Sequence, residues 1–235
     1  MKVEILHGID GINKKAEAYV IIDVFRAFST AYYLFYLGVE KIILASTPDA
    51  ARKIKEGTDF ILVGEVGGKP FDGCDFGNSP YHVLKEGKMR WQGETVILRT
   101  SAGVQGVIRA AEYSKNVYAT SFPGAKALSE HLRKMNYSDI KIVAMGENGR
   151  MPTPEDDTCA EYLKSLLLKK VFNWLDMLMI IIQADSFKKF FIPEEGFPPQ
   201  DPALCLQRDI FDFVIKARKE EGQLFLYKIN RNKKI

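Results

Sequence analysis

Seven short runs of aliphatic and β-branched residues recur along the first 145 positions, and most are separated by a stretch that opens like a helix. They are VEIL at 3–6, AYVIIDV at 18–24, KIILA at 41–45, FILVG at 60–64, TVILR at 95–99, NVYAT at 116–120 and IKIVAM at 140–145. Runs this short and this continuously apolar predict strands covered on both faces. Thr47-Pro48-Asp49, Ser79-Pro80, Ser121 to Pro123 and Thr153-Pro154-Glu155 each put a hydroxyl ahead of a proline in a first turn, the signature of a helix start. Strand and capped helix in alternation predict an α/β fold, a three-layer α/β/α arrangement with a mostly parallel sheet. After residue 160 the pattern turns to helix through EYLKSLLLKKVFNWLDMLMIII, then to the Pro-rich connection FIPEEGFPPQDPAL, a last helix and a closing strand LFLYKI. No internal repeat is present, and residues 1–235 read as a single domain.

With 235 residues, 46% of them hydrophobic, the chain can bury a full core. Lys and Arg total 33 against 30 for Asp and Glu, a balance too even to call for nucleic acid or a membrane surface as partner but compatible with small anions. Cys74, Cys159 and Cys205 are odd in number and far apart, which excludes a disulfide framework and a CxxC metal knuckle and points to a reducing cytoplasm. The most apolar late run, VFNWLDMLMIIIQA, is interrupted by Asn173 and Asp176, so no membrane span is expected. The apolar stripe along residues 162–184 offers a surface for a second subunit, a homodimer.

In open α/β sheets ligands bind beyond the carboxyl ends of the strands. Four such ends are polar together: Asp23 to Thr30 with Arg26; the loop GEVGGKPFDGCDFGNSP from Gly64 to Pro80; Arg99-Thr100-Ser101-Ala102-Gly103; and Gly146-Glu147-Asn148-Gly149 leading into Glu155-Asp156-Asp157. The Thr100 to Gly103 turn offers hydroxyls and backbone N–H groups at a helix start, and Arg26 offers a bidentate fork, both suited to phosphate. The remaining segments offer carboxylates. Acids beside an anion site call for a bridging divalent ion, and magnesium fits best because clustered His or Cys for zinc is lacking.

Taken in order, IDVFRAFST, GEVGGKPFDGCDFGNSP, LRTSAGVQG and PEDDTCAEYL resemble the 2-phosphosulfolactate phosphatase family of coenzyme M biosynthesis, over most of residues 19–165. The tail DPALCLQRDIFDFV is similar to the family's end as well. The resemblance implies an α/β/α fold, magnesium dependence and hydrolysis of a phosphate monoester. It departs at the third segment, where the family pattern Thr-Thr-Asn-Gly-Thr is replaced by Thr100-Ser101-Ala102-Gly103-Val104. Loss of an amide side chain at Ala102 and a hydroxyl at Val104 leaves the natural substrate open. It is 2-phosphosulfolactate, a different small phosphorylated acid, or, in a catalytically silent chain, a small anion that is only bound.

Catalytic roles fall on Asp23, Arg26 and Glu65. Arg26, Asn78, Arg99, Thr100, Ser101 and Gly103 are the substrate-binding set, and Asp23, Glu65, Glu155 and Asp156 the magnesium ligands. Plainer readings stand beside these: Asp23 suits a solvated turn or the cap of the following helix, and Glu65 a surface loop. Glu155 and Asp156 suit the first turn of a helix through its dipole; Asp75 and Asn78 can tie their own loop together; Arg99 either pairs with an acid or takes a second anionic group of the substrate. Asp72-Gly73 is a strong turn dipeptide, so Asp72 is assigned to the turn. Cys159 reads as a core residue and not a thiol nucleophile. Direct attack by water is preferred to a covalent aspartyl-phosphate at Asp23, since DVFR lacks the DxD spacing of haloacid-dehalogenase phosphatases.

Overall fold

The computed structural model describes residues 1–230. All seven expected strands are present: β1 (Lys2–His7), β2 (Ala18–Ile22), β3 (Lys41–Leu44), β4 (Ile61–Gly64), β5 (Thr95–Arg99), β6 (Val117–Thr120) and β7 (Asp139–Ala144). Two more, β8 (Phe213–Glu220) and β9 (Gln223–Asn230), complete one mixed sheet in the order β1-β7-β2-β6-β8-β9-β3-β5-β4. Five neighbouring pairs are parallel and three, all involving β8 or β9, are antiparallel.

The helices are α1 (Ala27–Tyr36), α2 (Pro48–Lys55), α3 (Pro80–Lys85), α4 (Lys88–Trp91), α5 (Gly103–Ala110), α6 (Ala125–Met135), α7 (Pro154–Leu168), α8 (Trp174–Gln183), α9 (Asp185–Lys188) and α10 (Asp201–Cys205). Thr47 and Ser79 cap as their sequences predict, accepting hydrogen bonds from the amides of Ala50 at 3.1 Å and His82 at 3.2 Å. Ser121 instead leads into a 3-10 turn at Phe122–Gly124, and Thr153 precedes α7 without capping it through its side chain.

Two elements differ from the sequence reading. The long helix after residue 160 is divided, because Lys169 turns left-handed at φ 54° and closes α7. The last helix shrinks to the five residues of α10, and the expected closing strand LFLYKI is β9, paired as a hairpin with the additional strand β8. The hairpin's turn residues, Glu221 and Gly222, both have positive φ, the twist that a two-residue hairpin connection needs.

Alternate residues of β2 point into different cores. Tyr19 and Ile21 join a cluster with α1, whereas Ala18, Val20 and Ile22 pack with Leu128 and Leu132 of α6 and Leu163 of α7. On the other half of the sheet Ile43, Leu62 and Ile97 form a third cluster with Ala51 of α2. Ile42, Val63 and Leu98 turn the opposite way, into the cluster of Tyr19 and Ile21. The two halves of the sheet therefore share one inner core and have separate outer ones. Strands β2 and β5 stand five positions apart, about 24 Å across a flat sheet, yet the side chain following β2 reaches the helix following β5 within hydrogen-bonding distance. The sheet curls, and the curl brings the two sets of strand ends together.

Candidate active site

At this junction lies a cavity of about 330 Å³ lined by Asp23, Glu65, Asn78, Ser101, Glu155 and Asp156 among others. All four acids assigned to metal binding reach it, from the ends of β2 and β4 and from the first turn of α7.

Three of the acids are fixed by backbone amides and the fourth by a hydroxyl. Asp23 accepts from Ala27 N at 3.0 Å and from Gly103 N at 2.8 Å. A Cβ at Gly103 would lie 2.7 Å from Asp23 Oδ2, so glycine is what allows the carboxylate onto that amide. Glu65 accepts from Gly68 N at 2.6 Å and Ser101 N at 2.5 Å, joining its loop to the turn after β5. Asp156 accepts from Val24 N at 2.7 Å and Gly146 N at 2.8 Å, joining the ends of β2 and β7. Glu155 accepts from the Ser186 hydroxyl at 2.6 Å. Amides that the sequence reading offers to a phosphate, those of Ser101 and Gly103, are here engaged by protein carboxylates.

The acids crowd one another. Burial raises the Asp23 carboxyl to about 6, and the charges of Glu65 and Glu155 add to the rise against the opposing amides of Ala27 and Gly103. Burial also raises Asp156 well above the usual range, with the charges of Asp23 and Glu155 contributing. Glu155 rises through burial, opposed by its bond from Ser186. The donor set is all oxygen, which suits a hard cation. Among the described residues, however, no three acidic, His or Cys side chains are grouped to hold a metal.

Arg26 has its fork directed at the protein. Nη1 donates to Asp201 Oδ2 at 2.7 Å and to Gly196 O at 2.5 Å, and Nη2 donates to Gly68 O at 2.9 Å. Phe197 and Phe190 flank the guanidinium at 5.0 and 5.4 Å. The Phe25–Arg26 peptide bond is cis.

Among the other substrate-binding candidates, Asn78 and Ser101 line the cavity. Asn78 is buried with its amide oxygen unpartnered, a polar atom that calls for a ligand donor. Arg99 and Thr100 stand behind the wall: Arg99 Nη1 donates to the carbonyl of Glu65 and, at 3.3 Å, to Ser101 Oγ, and Thr100 Oγ1 accepts from Val104 N at 3.1 Å. Val104 is fully buried in the inner core. Asp72 is exposed on its turn and away from the cavity, and Asp75 accepts from Leu62 N at 2.7 Å and pairs with Lys55. Cys159 is in the outer core, where burial pushes its thiol well up.

A family model described as 2-phosphosulpholactate phosphatase matches residues 6–220, from the end of β1 through β8 and including every wall of the cavity. The chain belongs to the 2-phosphosulpholactate phosphatase family. It is 30% identical over 229 residues to a protein of Bacillus subtilis (strain 168) named "Probable 2-phosphosulfolactate phosphatase", covering 95% of this chain and 96% of the relative. A protein of Carboxydothermus hydrogenoformans with the same name is 28% identical over 242 residues, 96% and 97% of the two chains. One from Caldicellulosiruptor saccharolyticus is 29% identical over 222 residues, 85% and 88%.

Lys69, Lys189, Glu147, Glu194 and Phe197 also line the cavity, with Ser186 and Asp201 behind them, and none of these is among the residues to which the sequence assigns a role. Asp201 stands within the tail segment DPALCLQRDIFDFV, but nothing local marks it as the partner of Arg26, 175 positions away. The Pro-rich connection was the available signal for Glu194 and Phe197, since a long irregular segment inside a packed fold tends to be functional.

Proposed function

We propose that this protein is a magnesium-dependent phosphate monoester hydrolase converting 2-phosphosulfolactate and water to sulfolactate and phosphate. The observation that carries the reading is the convergence of four buried carboxylates and an unpartnered Asn78 amide oxygen on one cavity, in a member of this family. Buried like charges are costly without compensation, and a divalent ion with a phosphate ester supplies it. We take the alternation of cores across the sheet as support for the three-layer α/β/α reading, one domain over 1–235. The place in coenzyme M biosynthesis and in the cytoplasm belongs to the same proposal; among the described residues no helix is long and apolar enough to cross a membrane.

Asp23, Glu65 and one of Glu155 or Asp156 would hold magnesium, which when bound neutralises charge on the phosphoryl oxygens and orients the attacking water. Asp23 manages the proton. As a ligand of the ion Asp23 would orient the attacking water; free of the ion its carboxyl, raised to about 6, would donate to the leaving alkoxide as the bond between phosphorus and the ester oxygen breaks, with the proton released by water restoring it. The Ser101 hydroxyl and the side-chain N–H of Asn78 would donate to the phosphoryl oxygens at the wall, leaving the Asn78 amide oxygen to accept from a water. Gly103 places Asp23 through its amide, and Thr100 and Arg99 brace the turn from behind. Arg26 fixes the Gly68 loop; a direct grip on the phosphoryl group requires it to exchange Asp201 for substrate. Leu175, Met179 and Ile180 of α8 are exposed, which supports a homodimer through that helix, and a monomeric mass in sedimentation velocity would remove it.

Phosphate release from a panel of 2-phospho carboxylic acids, with and without magnesium, tests the activity. Release from 2-phosphosulfolactate above the rest supports the assignment; no release from any member of the panel ends it.

A further inference from the structure

We propose that Lys189, with Lys69 on the same cavity, forms the subsite for the anionic groups of the substrate other than the phosphate, the carboxylate and sulfonate of a 2-phosphosulfolactate-type ester. The inference deepens the phosphatase reading and rests on it for the reaction.

Among the described lining residues the cations are Arg26, Lys69 and Lys189, and they differ in what holds them. Arg26 is closed in a buried pair, its side chain and that of Asp201 only 3% and 0% exposed. Lys69 Nζ is 2.7 Å from Glu194 Oε1 and Lys189 Nζ is 3.8 Å from Glu147 Oε1, and those partners are 45% and 58% exposed. A displaced exposed carboxylate returns to water, and pairs of this kind are weak. A substrate anion can therefore take the place of Glu194 or Glu147, whereas displacing Asp201 would strand a buried charge.

Lys189 is also held in position without being neutralised. Its ammonium lies 5.4 Å from the centre of the Phe197 ring and 6.0 Å from that of Phe190, an attraction that orients the cation and leaves its donors free. Lys189 lines the same cavity as Asp23, Glu65, Glu155 and Asp156. An ester that adds carboxylate and sulfonate to a phosphate brings several negative charges towards four acids, and these lysines are the exchangeable cations there. An ester on a neutral carbon chain gains nothing from them. The site thus selects for acid groups beside the phosphate.

Calorimetric titration with sulfolactate, which carries both acid groups and no phosphate, reads the subsite apart from the chemistry. Lys189→Met should weaken its binding at least about tenfold, and Lys189→Arg should restore most of it, with melting temperatures checking that each variant is folded. The selectivity of kcat/KM for 2-phosphosulfolactate over isopropyl phosphate should fall at least about tenfold in Lys189→Met and in Lys69→Met. Sulfolactate that fails to bind the wild type, binds Lys189→Met equally well, or leaves the selectivity ratio unmoved overturns the subsite. Lys189-dependent binding of sulfolactate by a protein that hydrolyses no ester would keep the subsite and reject the phosphatase reading.

Discussion

Arg26 and Asp201 form an ion pair at 2.7 Å with both side chains shielded from solvent. Asp201 also accepts from Ser79 Oγ at 2.8 Å and Tyr81 N at 3.0 Å, so the pair links the start of α1 to α3 and α10. Removing one partner of a buried pair leaves an uncompensated charge and costs about 3–5 kcal/mol. Asp201→Asn should therefore destabilise the fold by about that much, and Arg26→Lys, which loses the planar fork, should lower the melting temperature too. Thermal melts beside steady-state kinetics decide the role. A normal melting temperature in Arg26→Lys, with lost turnover and weaker inhibition by inorganic phosphate, would place Arg26 on the substrate instead.

Four acids on one cavity predict a metal requirement. EDTA should abolish hydrolysis and magnesium should restore it. Full turnover after exhaustive chelation would remove the ion from the mechanism.

The acids should also separate by place. Asp23→Asn and Glu65→Gln keep size while removing charge from the cavity, and each should lower kcat at least about a hundredfold, roughly 2.7 kcal/mol of barrier. Asp72→Asn, on an exposed turn, should change kcat less than about threefold, under ~0.7 kcal/mol. An Asp72→Asn loss matching the other two would show that the loop is read wrongly.

Asp23 gives the protein a pH signature. Its carboxyl is raised from 3.8 to about 6 in the fold, so the folded chain holds this proton more tightly than the unfolded one. The contribution to stability is complete below pH 3.8 and is lost as pH rises through about 6. Glu155 and Asp156, also raised, act in the same direction. In EDTA the melting temperature should fall between pH 5 and pH 7, and Asp23→Asn should reduce that slope. An unchanged slope in the variant would assign the titration to other groups.

The parts of this architecture that were legible in sequence are those whose signal is local. Each strand from β1 to β7 is a short apolar run, and Asp23 and Glu65 could be picked out because each directly follows one. The closing strand β9 was legible in LFLYKI, but β8 was harder to see, since FVIKARKE mixes charge with apolar residues, and the hairpin's pairing with β6 and β3 has no local signal. Gathering the four acids needed the curl of the sheet, which no window of residues reports. The partners that settle individual roles are more distant still: Asp201 for Arg26, Ser186 for Glu155, and Glu147 for Lys189.

The position of the hairpin makes the order of synthesis matter. Strands β1, β7, β2 and β6 can pair among themselves, as can β3, β5 and β4, but β6 and β3 have their remaining partners only in β8 and β9. Until the ribosome has released the chain through Asn230, two parallel half-sheets with open edges face solvent, the kind of surface on which nascent chains pair wrongly with one another. The cavity is lined from both halves of the sheet, so its walls are joined through one sheet only when the hairpin is in place.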